Sequence, residues 1–288
     1  MYRWSYLCRI SLFILLSAGH ENVSDTPQIS TTLATTTAIP YRSRYPYVVS
    51  IGVSIKGYYK HLCVGVIIAD AFVLTAAHCI KTKQHQKSKM FVAAGDDLLK
   101  SRLQSQFAVV AKLSHPHFKI LKGNDIALLM VTPKFPLDDI RFQSIKLLSR
   151  SQTSKDDNLS LLGWGRVTVG SKMNKLQEMP YEVMENDVCK KKHRFVFLTR
   201  TEFCATHLKG PRGACDGDSG GPLMNLAEHT LYGLLSYGRK ACVPLQPYAF
   251  TRVSEYLNWI EESMNHLSRR HNVLKVNRRT RKDTTKFG

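Results

Sequence analysis

Three short segments of this chain contain the side chains that nucleophilic acyl transfer requires. They are Thr-Ala-Ala-His-Cys at residues 75–79, Asn-Asp-Ile-Ala-Leu-Leu at 124–129, and Gly-Asp-Ser-Gly-Gly-Pro at 217–222. A serine hydroxyl is a weak nucleophile at neutral pH, so an imidazole must accept its proton. A buried carboxylate must then fix the tautomer of that imidazole and stabilise the imidazolium that forms. These requirements indicate Ser219 as nucleophile, His78 as general base and Asp125 as the orienting carboxylate.

The order of the three segments, histidine first and serine last, separates the classes of protein that use this chemistry. Subtilisin-like enzymes and α/β-hydrolases place the same residues in other orders. The chain resembles the trypsin/chymotrypsin-like serine proteases over residues 45–267. The resemblance implies a serine endopeptidase that forms an acyl-enzyme, with the amides of Gly217 and Ser219 as the oxyanion hole. The glycines around Ser219 allow the sharp backbone turn that this arrangement needs.

Short apolar runs between turn residues predict an all-β fold. The predicted strands are Val48–Ile55, Val64–Ile68, Phe72–Thr75, Met90–Ala94, Phe107–Leu113, Ile126–Val131, Leu159–Leu162, Tyr232–Ser236 and Tyr248–Val253. The resemblance specifies two antiparallel six-stranded β-barrels, chymotrypsin-like, with the site in the cleft between them. His78 and Asp125 would then come from the first barrel and Ser219 from the second. Apolar residues at helical spacing predict a C-terminal α-helix that packs on the barrels, namely Val253, Tyr256, Leu257, Ile260, Met264 and Leu267.

The chain also contains segments outside this domain. Arg3 and Arg9 precede a short apolar run, which predicts a signal peptide and a secreted protein. The run has about nine residues, far fewer than the roughly 20 that span a bilayer, and a short membrane anchor is the alternative. The predicted organisation is a signal peptide at 1–19, a Thr-rich leader at 20–44, the serine protease domain at 45–267, and a basic, disordered tail at 268–288. Asn22 and Asn158 begin N-glycosylation sequons.

The cysteine content agrees with secretion. One of the seven cysteines, Cys8, lies in the predicted signal peptide, which leaves the even number that a disulfide framework needs. Spacing alone does not choose among the possible pairings, and zinc is the alternative, disfavoured because no Cys-x-x-Cys pair occurs. The resemblance implies the pairs Cys63–Cys79, Cys189–Cys204 and Cys215–Cys242. We expect neither a metal nor a cofactor.

The formal charge of +19 and the pI of about 9.7 raise the question of an anionic partner. Much of the excess lies in the tail, where one acidic residue faces Arg269, Arg270, Lys275, Arg278, Arg279, Arg281, Lys282 and Lys286. Such a run is usually solvated and disordered, and an anionic surface or a glycan is the alternative partner. The sequence contains no nucleic-acid-binding module. We therefore expect a monomer that acts on protein or peptide substrates.

Two positions depart from the trypsin pattern in the expected substrate pocket. Gly213 stands six residues before the nucleophile, where trypsin-like enzymes have the aspartate that attracts Lys or Arg. Tyr248 replaces a glycine that keeps the pocket open, and its ring would fill the base, close the pocket or point elsewhere. These differences predict a small apolar side chain before the scissile bond, because a cation would lose its water without gaining an opposite charge.

The resemblance assigns further residues to substrate binding. Ser236, Tyr237 and Gly238 match the segment that supports the aspartate and pairs with the substrate backbone, with Tyr237 in place of the usual tryptophan. Asp216 lies at the rim of the pocket and would add a polar preference. 

The activation terminus of the family is missing from this sequence. Family members become active when cleavage frees an Ile-Val-Gly-Gly-type terminus, whose ammonium pairs with the aspartate before the nucleophile, here Asp218. No such motif precedes Pro46, and no Lys or Arg occurs between Arg9 and Arg42. This departure and the obstructed pocket support an alternative, a non-catalytic homologue that acts as a binding protein.

Overall fold

The computed structural model describes residues 45–81, 89–149, 159–166, 174–193, 198–208, 213–238, 242–243 and 245–284, without the side chains of 193 and 275–284. The predicted signal peptide and leader lie outside these residues, as do the asparagines of the two glycosylation sequons, Asn22 and Asn158.

Strands are the predominant secondary structure of the described chain. They are β1 (Val48–Ile55), β2 (Tyr58–Ala69), β3 (Phe72–Thr75), β4 (Met90–Ala94), β5 (Ser105–Ser114), β6 (Ala127–Thr132), β7 (Lys146–Leu147), β8 (Leu159–Gly163), β9 (Gln177–Met184), β10 (Glu202–His207), β11 (Pro222–Asn225), β12 (Thr230–Gly238) and β13 (Pro247–Arg252). The helices are α1 (His78–Lys81), α2 (Asn186–His193) and α3 (Leu257–Thr284), the last preceded by a 3₁₀ turn at Val253–Tyr256.

The first six strands form a closed antiparallel barrel in the order β1-β2-β3-β6-β5-β4. β1 closes the ring by pairing with β4, with Ser50 opposite Ala93. The interior is lined by aliphatic and aromatic side chains such as Ile51, Val73 and Phe107. Strands of this barrel position His78 and Asp125. His78 begins α1, three residues after the end of β3, and Asp125 lies two residues before the start of β6.

The second barrel closes in the order β8-β9-β10-β13-β12-β11, and β11 pairs back with β8. Strand β7 adds to its edge in parallel with β12. A separate core cluster contains residues of both barrels and of α3, including Leu74, Leu234 and Ile260. The segment with Ser219 lies immediately before β11, so the two barrels carry the three reactive residues between them.

The structure confirms the predicted fold class, two antiparallel barrels with a C-terminal helix. All nine predicted strands are present, and three of them, Val48–Ile55, Phe72–Thr75 and Met90–Ala94, have the predicted bounds. The sequence patterns missed β7, β9, β10, β11 and α2. Helix α3 passes the predicted domain end at residue 267 and reaches Thr284, so most of the segment predicted to be a disordered tail is helical. No helix among the described residues is both long enough and apolar enough to cross a bilayer.

Candidate active site

His78 and Asp125 form a two-point contact at the rim of the first barrel. Asp125 Oδ2 lies 2.7 Å from His78 Nδ1, and Asp125 Oδ1 accepts the backbone N–H of His78 at 2.9 Å. The Asp125 side chain is 7% exposed and that of His78 27% exposed. A buried carboxylate that accepts from Nδ1–H leaves Nε2, the other ring nitrogen, available as a base.

Two residues of the second barrel also form hydrogen bonds with Asp125. Ser236 Oγ, on β12, donates to Asp125 Oδ2 at 2.5 Å, and Thr251 Oγ1, on β13, donates to the Asp125 carbonyl at 2.9 Å. The preceding residue, Asn124, has a left-handed φ of 56° and accepts a hydrogen bond from Tyr256 at 3.1 Å. Because both barrels bind the aspartate, its orientation depends on their mutual packing.

Ser219 lies on a turn that packs against the segment leading to His78. The Ser219 carbonyl accepts the Val64 N–H at 2.8 Å. Gly217 and Gly220 have φ values of +99° and +73°, in the region that favours glycine. A Cβ on Gly220 would overlap Thr75 Oγ1, three residues before His78. This close approach therefore requires glycine at 220.

Asp218 is completely buried beneath the same turn. Its carboxylate accepts the Gly165 N–H at 2.7 Å through Oδ1 and the Cys215 N–H at 2.9 Å through Oδ2. A Cβ on Gly163 or Gly165 would overlap these carboxylate oxygens. These backbone donors offset part of the cost of burying the charge, so the turn that contains Gly217 is anchored within the domain.

A chain of polar side chains that the sequence patterns missed reaches the same turn. His61 Nε2 lies 2.9 Å from the Gly217 carbonyl, which makes it the donor, and His61 Nδ1 accepts from Ser50 Oγ at 2.7 Å. Tyr59 OH lies 2.7 Å from Ser50 Oγ and completes the chain. Burial lowers the pKa of His61 to about 4, so the ring is neutral at physiological pH. The only sequence signal for this chain of contacts was the spacing of Tyr59 and His61, two residues apart on β2.

The ring of Tyr248 lies between the two walls of the expected substrate pocket. A Cβ on Gly213 would come within 2.6 Å of the Tyr248 hydroxyl, and a Cβ on Gly238 would overlap the ring. Tyr248 is 3% exposed, and its hydroxyl approaches the Val243 carbonyl at 3.4 Å. The ring thus occupies the space that these glycines leave. Asp216, predicted at the rim, is exposed.

A buried acid lies behind the segment that contains Tyr237. Glu202 is completely buried, and its Oε2 accepts the N–H and the hydroxyl of Thr199 at 3.0 and 2.9 Å. Burial raises the pKa of Glu202, and the charge of Asp125 adds to this effect. The Tyr237 hydroxyl lies near this carboxylate, and each group influences the pKa of the other. Within the described residues, however, neither Glu202 Oε1 nor Tyr237 OH completes a hydrogen bond of good geometry. Sequence analysis missed Glu202 because an acid at the start of β10 gives no sign of burial.

The structure contains the three cysteine pairs that the resemblance implied, Cys63–Cys79, Cys189–Cys204 and Cys215–Cys242. The first lies at the start of α1 beside His78, and the last connects the segment before Ser219 to the segment at Val243. Among the described residues, one group of potential metal ligands clusters, Cys63, His78 and Cys79. Because its two sulfurs are bonded to each other, the group offers one imidazole and no thiolate.

Comparisons with known proteins agree with this geometry. The family model described as Trypsin matches residues 35–260. The chain is 35% identical to chymotrypsin-2 of Vespa crabro, over 77% of this chain and 95% of the relative. It is 33% identical to trypsin-4 of Rattus norvegicus, over 76% and 85%. It is 29% identical to cathepsin G of Mus musculus, over 73% and 77%. The chain therefore belongs to the trypsin family of serine endopeptidases.

Proposed function

We propose that this protein is a secreted endopeptidase that uses Ser219 as nucleophile, His78 as general base and Asp125 to orient the imidazole. The observation that supports this most strongly is the two-point contact of Asp125 with Nδ1 and the backbone N–H of His78. The contact fixes the ring and its tautomer together. Nε2 is thereby left to accept the serine proton.

The reaction follows from these positions. His78 Nε2 takes the proton of Ser219 as Oγ attacks the scissile carbonyl, and the amides of Gly217 and Ser219 stabilise the oxyanion. The imidazolium then gives that proton to the leaving amine, and an acyl-enzyme remains. Water, activated by the same imidazole, hydrolyses the ester and restores the serine. The Gly217 amide depends on the anchoring of its turn by Asp218 and His61.

We further propose that the pocket accepts small apolar side chains such as those of Ala and Val. Tyr248 takes up volume between Gly213 and Gly238. A large aromatic side chain would need that same volume, and overpacking costs roughly 1–3 kcal/mol even in adaptable cores. Gly213 supplies no carboxylate to a Lys or Arg side chain, which would lose its hydration there.

Secretion is supported by the three disulfides, because such bonds persist in oxidising compartments. The proposal includes a cleaved signal peptide at 1–19, a leader at 20–44 and action as a monomer on protein or peptide substrates. It also includes contact of the basic segment 268–288 with an anionic surface or glycan, because eight basic residues and one acid lie there.

A fluorophosphonate probe with a fluorescent tag tests the nucleophile. The secreted parent protein should be labelled and should cleave a peptide library, while Ser219→Ala should show neither property. A matched control, Ser263→Ala, changes a buried serine of α3 and should retain both. Peptidase activity that survives in pure Ser219→Ala would rule out the assignment.

The position of Tyr248 favours a second candidate, a non-catalytic homologue that binds a partner through the same cleft. A ring between the pocket walls would then exclude every side chain rather than select small ones. A parent protein that cleaves nothing in the library, together with a Tyr248→Gly variant that does, would support this candidate. Cleavage by the parent after Ala or Val would exclude it.

A further inference from the structure

A cleft of about 820 Å³ lies beside the oxyanion turn and extends to residues of both barrels. Gly217 lines it, whereas Gly213, Gly238 and Tyr248 do not. The cleft is therefore distinct from the pocket that Tyr248 fills, although the two meet at the reactive serine's turn.

A tight turn and backbone hydrogen bonds fix the two walls of this cleft. Lys56 and Gly57, with φ values of 50° and 83°, form the tight turn between β1 and β2 on one side. Asn174 fastens the opposite wall, since its carbonyl accepts the Leu99 N–H at 2.8 Å and its side chain accepts the Lys100 N–H at 3.0 Å. These contacts fix where the charged side chains of both walls begin.

The charge of the lining is strongly unbalanced. Lys56, Lys60 and Lys100 are exposed, and none forms an ion pair with a described residue. Arg166 adds a fourth cation, and its backbone N–H donates to the Asp216 carbonyl at 3.1 Å. Among the described residues of the lining, Asp216 is the one acid, and it lies directly beside Gly217. The cleft is thus positive, except at the end next to the oxyanion turn.

The position of the cleft indicates which part of a substrate enters it. In the proposed function, residues before the scissile bond pair with Ser236–Gly238 and place one side chain at Tyr248. An extended peptide that passes Gly217 must continue on the other side, into the cleft. Exposed Ile55 and Tyr58, at 45% and 79%, offer apolar contacts there.

We infer that this cleft selects substrates with acidic residues after the scissile bond, and that Lys56, Lys60 and Lys100 are the residues that determine this specificity. The inference rests on the proposed endopeptidase function. The preference begins at about the second residue after the bond, because the carboxylate of Asp216 repels an acid at the first. The substrate class is a peptide or protein with an acidic segment C-terminal to the cleaved bond.

Three fluorogenic peptides test this, identical up to the bond and followed by Ala-Glu-Glu, Ala-Gln-Gln or Ala-Lys-Lys. The ratio of kcat/KM between the Glu and Lys peptides should be about tenfold at low salt, since each exposed ion pair changes an equilibrium by up to about fivefold. The difference should lie mainly in KM. It should largely vanish in 1 M NaCl, where the Debye length is about 3 Å.

Two charge-matched triple variants show whether the cleft causes the preference. In Lys56→Gln/Lys60→Gln/Lys100→Gln the ratio should fall towards one. Lys146→Gln/Lys191→Gln/Lys192→Gln removes the same charge from exposed positions outside the cleft and should keep the ratio. Equal loss in both variants would assign the preference to net charge and overturn the inference, as would a parent protein with no preference.

A binding measurement separates this inference from the proposed function. A fluorescein-labelled Ala-Glu-Glu peptide should bind the full-length Ser219→Ala protein more tightly than the Ala-Lys-Lys peptide, and the cleft triple variant should remove the difference. A parent that resists the fluorophosphonate while binding remains selective would refute the enzyme proposal alone. Labelling and hydrolysis without selective binding would refute the cleft inference alone.

Discussion

His61 donates its Nε2–H to the carbonyl oxygen of Gly217 at 2.9 Å and so connects the first barrel to the oxyanion turn of the second. Its pKa of about 4 in the fold lies below the ordinary value of 6.5, because burial disfavours the imidazolium. Between these two pH values the unfolded chain therefore binds more protons at His61 than the folded protein does. The stability that the neutral His61 ring contributes is therefore fully present above pH 6.5 and is lost as the pH falls through 4.

His61→Gln tests this pH dependence, since glutamine retains a donor but does not titrate. In urea unfolding, the parent should lose about 3 kcal/mol more of its free energy of unfolding between pH 7 and pH 4 than the variant does. His61→Ala, which removes the donor, should lower kcat at pH 7. Parallel pH profiles for parent and His61→Gln would contradict the buried neutral ring.

Tyr248→Gly should widen the accepted side chains before the scissile bond from Ala and Val towards Leu and Phe. The ring between Gly213 and Gly238 would be replaced by open volume. Kinetics on a matched Ala, Leu and Phe peptide series measures the change, and Tyr232→Phe serves as a control in the same barrel. An unchanged preference order would show that the ring does not limit the pocket.

Gly213→Asp, the change that would supply a trypsin-like carboxylate, meets a separate obstacle. A Cβ at residue 213 would overlap the Val243 carbonyl oxygen, and backbone yields less readily than a side chain. Adding Gly213→Asp to Tyr248→Gly should therefore lower the melting temperature further. Cleavage after Arg is expected only if the segment around Val243 moves.

Glu202→Gln should stabilise the protein at pH 8 by about 1 kcal/mol, near the lower limit for a buried polar atom without a hydrogen-bond partner, here Oε1. Glutamine can still accept from Thr199 while its amide faces the Tyr237 hydroxyl. Since burial raises the pKa of Glu202, the cost of the charge appears as the pH rises through that pKa. The gain should therefore shrink at acidic pH.

Thermal unfolding at both pH values checks this difference. Glu182→Gln, an exposed change on the neighbouring strand β9, should alter neither melting temperature. A Glu202→Gln variant that is less stable than the parent at pH 8 would show that the carboxylate is well satisfied.

Ser236→Ala should lower kcat about tenfold with little effect on KM, because a hydrogen bond to a charged group contributes about 1.5 kcal/mol. The missing donor leaves Asp125 Oδ2 with fewer partners and loosens the orientation of His78. Steady-state kinetics on a short chromogenic substrate measures kcat and KM separately. Ser236→Thr, which keeps a hydroxyl donor, should retain most of the parent kcat. A change confined to KM would instead indicate a role in substrate pairing.

The sequence alone predicted those features of the fold and the site that depend on residue type and local pattern. The flanking residues of His78, Asp125 and Ser219 predicted their roles, and short apolar runs between turn residues predicted β1, β3 and β4 with correct bounds. Strands β9 and β10 were not predicted, because Pro180 interrupts the apolar residues of β9 and because β10 begins and ends with polar residues, Glu202 and His207. Contacts between distant residues, such as His61 with Gly217, depend on the packing of two barrels and leave no local pattern.

The burial of Asp218 between two glycines has a genetic consequence. Every single-nucleotide change that replaces a glycine codon with another amino acid adds at least a Cβ. At Gly163 and Gly165 that atom would overlap the Asp218 carboxylate. In a saturation library scored for secretion and activity, these two codons should therefore tolerate almost no missense variant, as strictly as the codon of Ser219 itself.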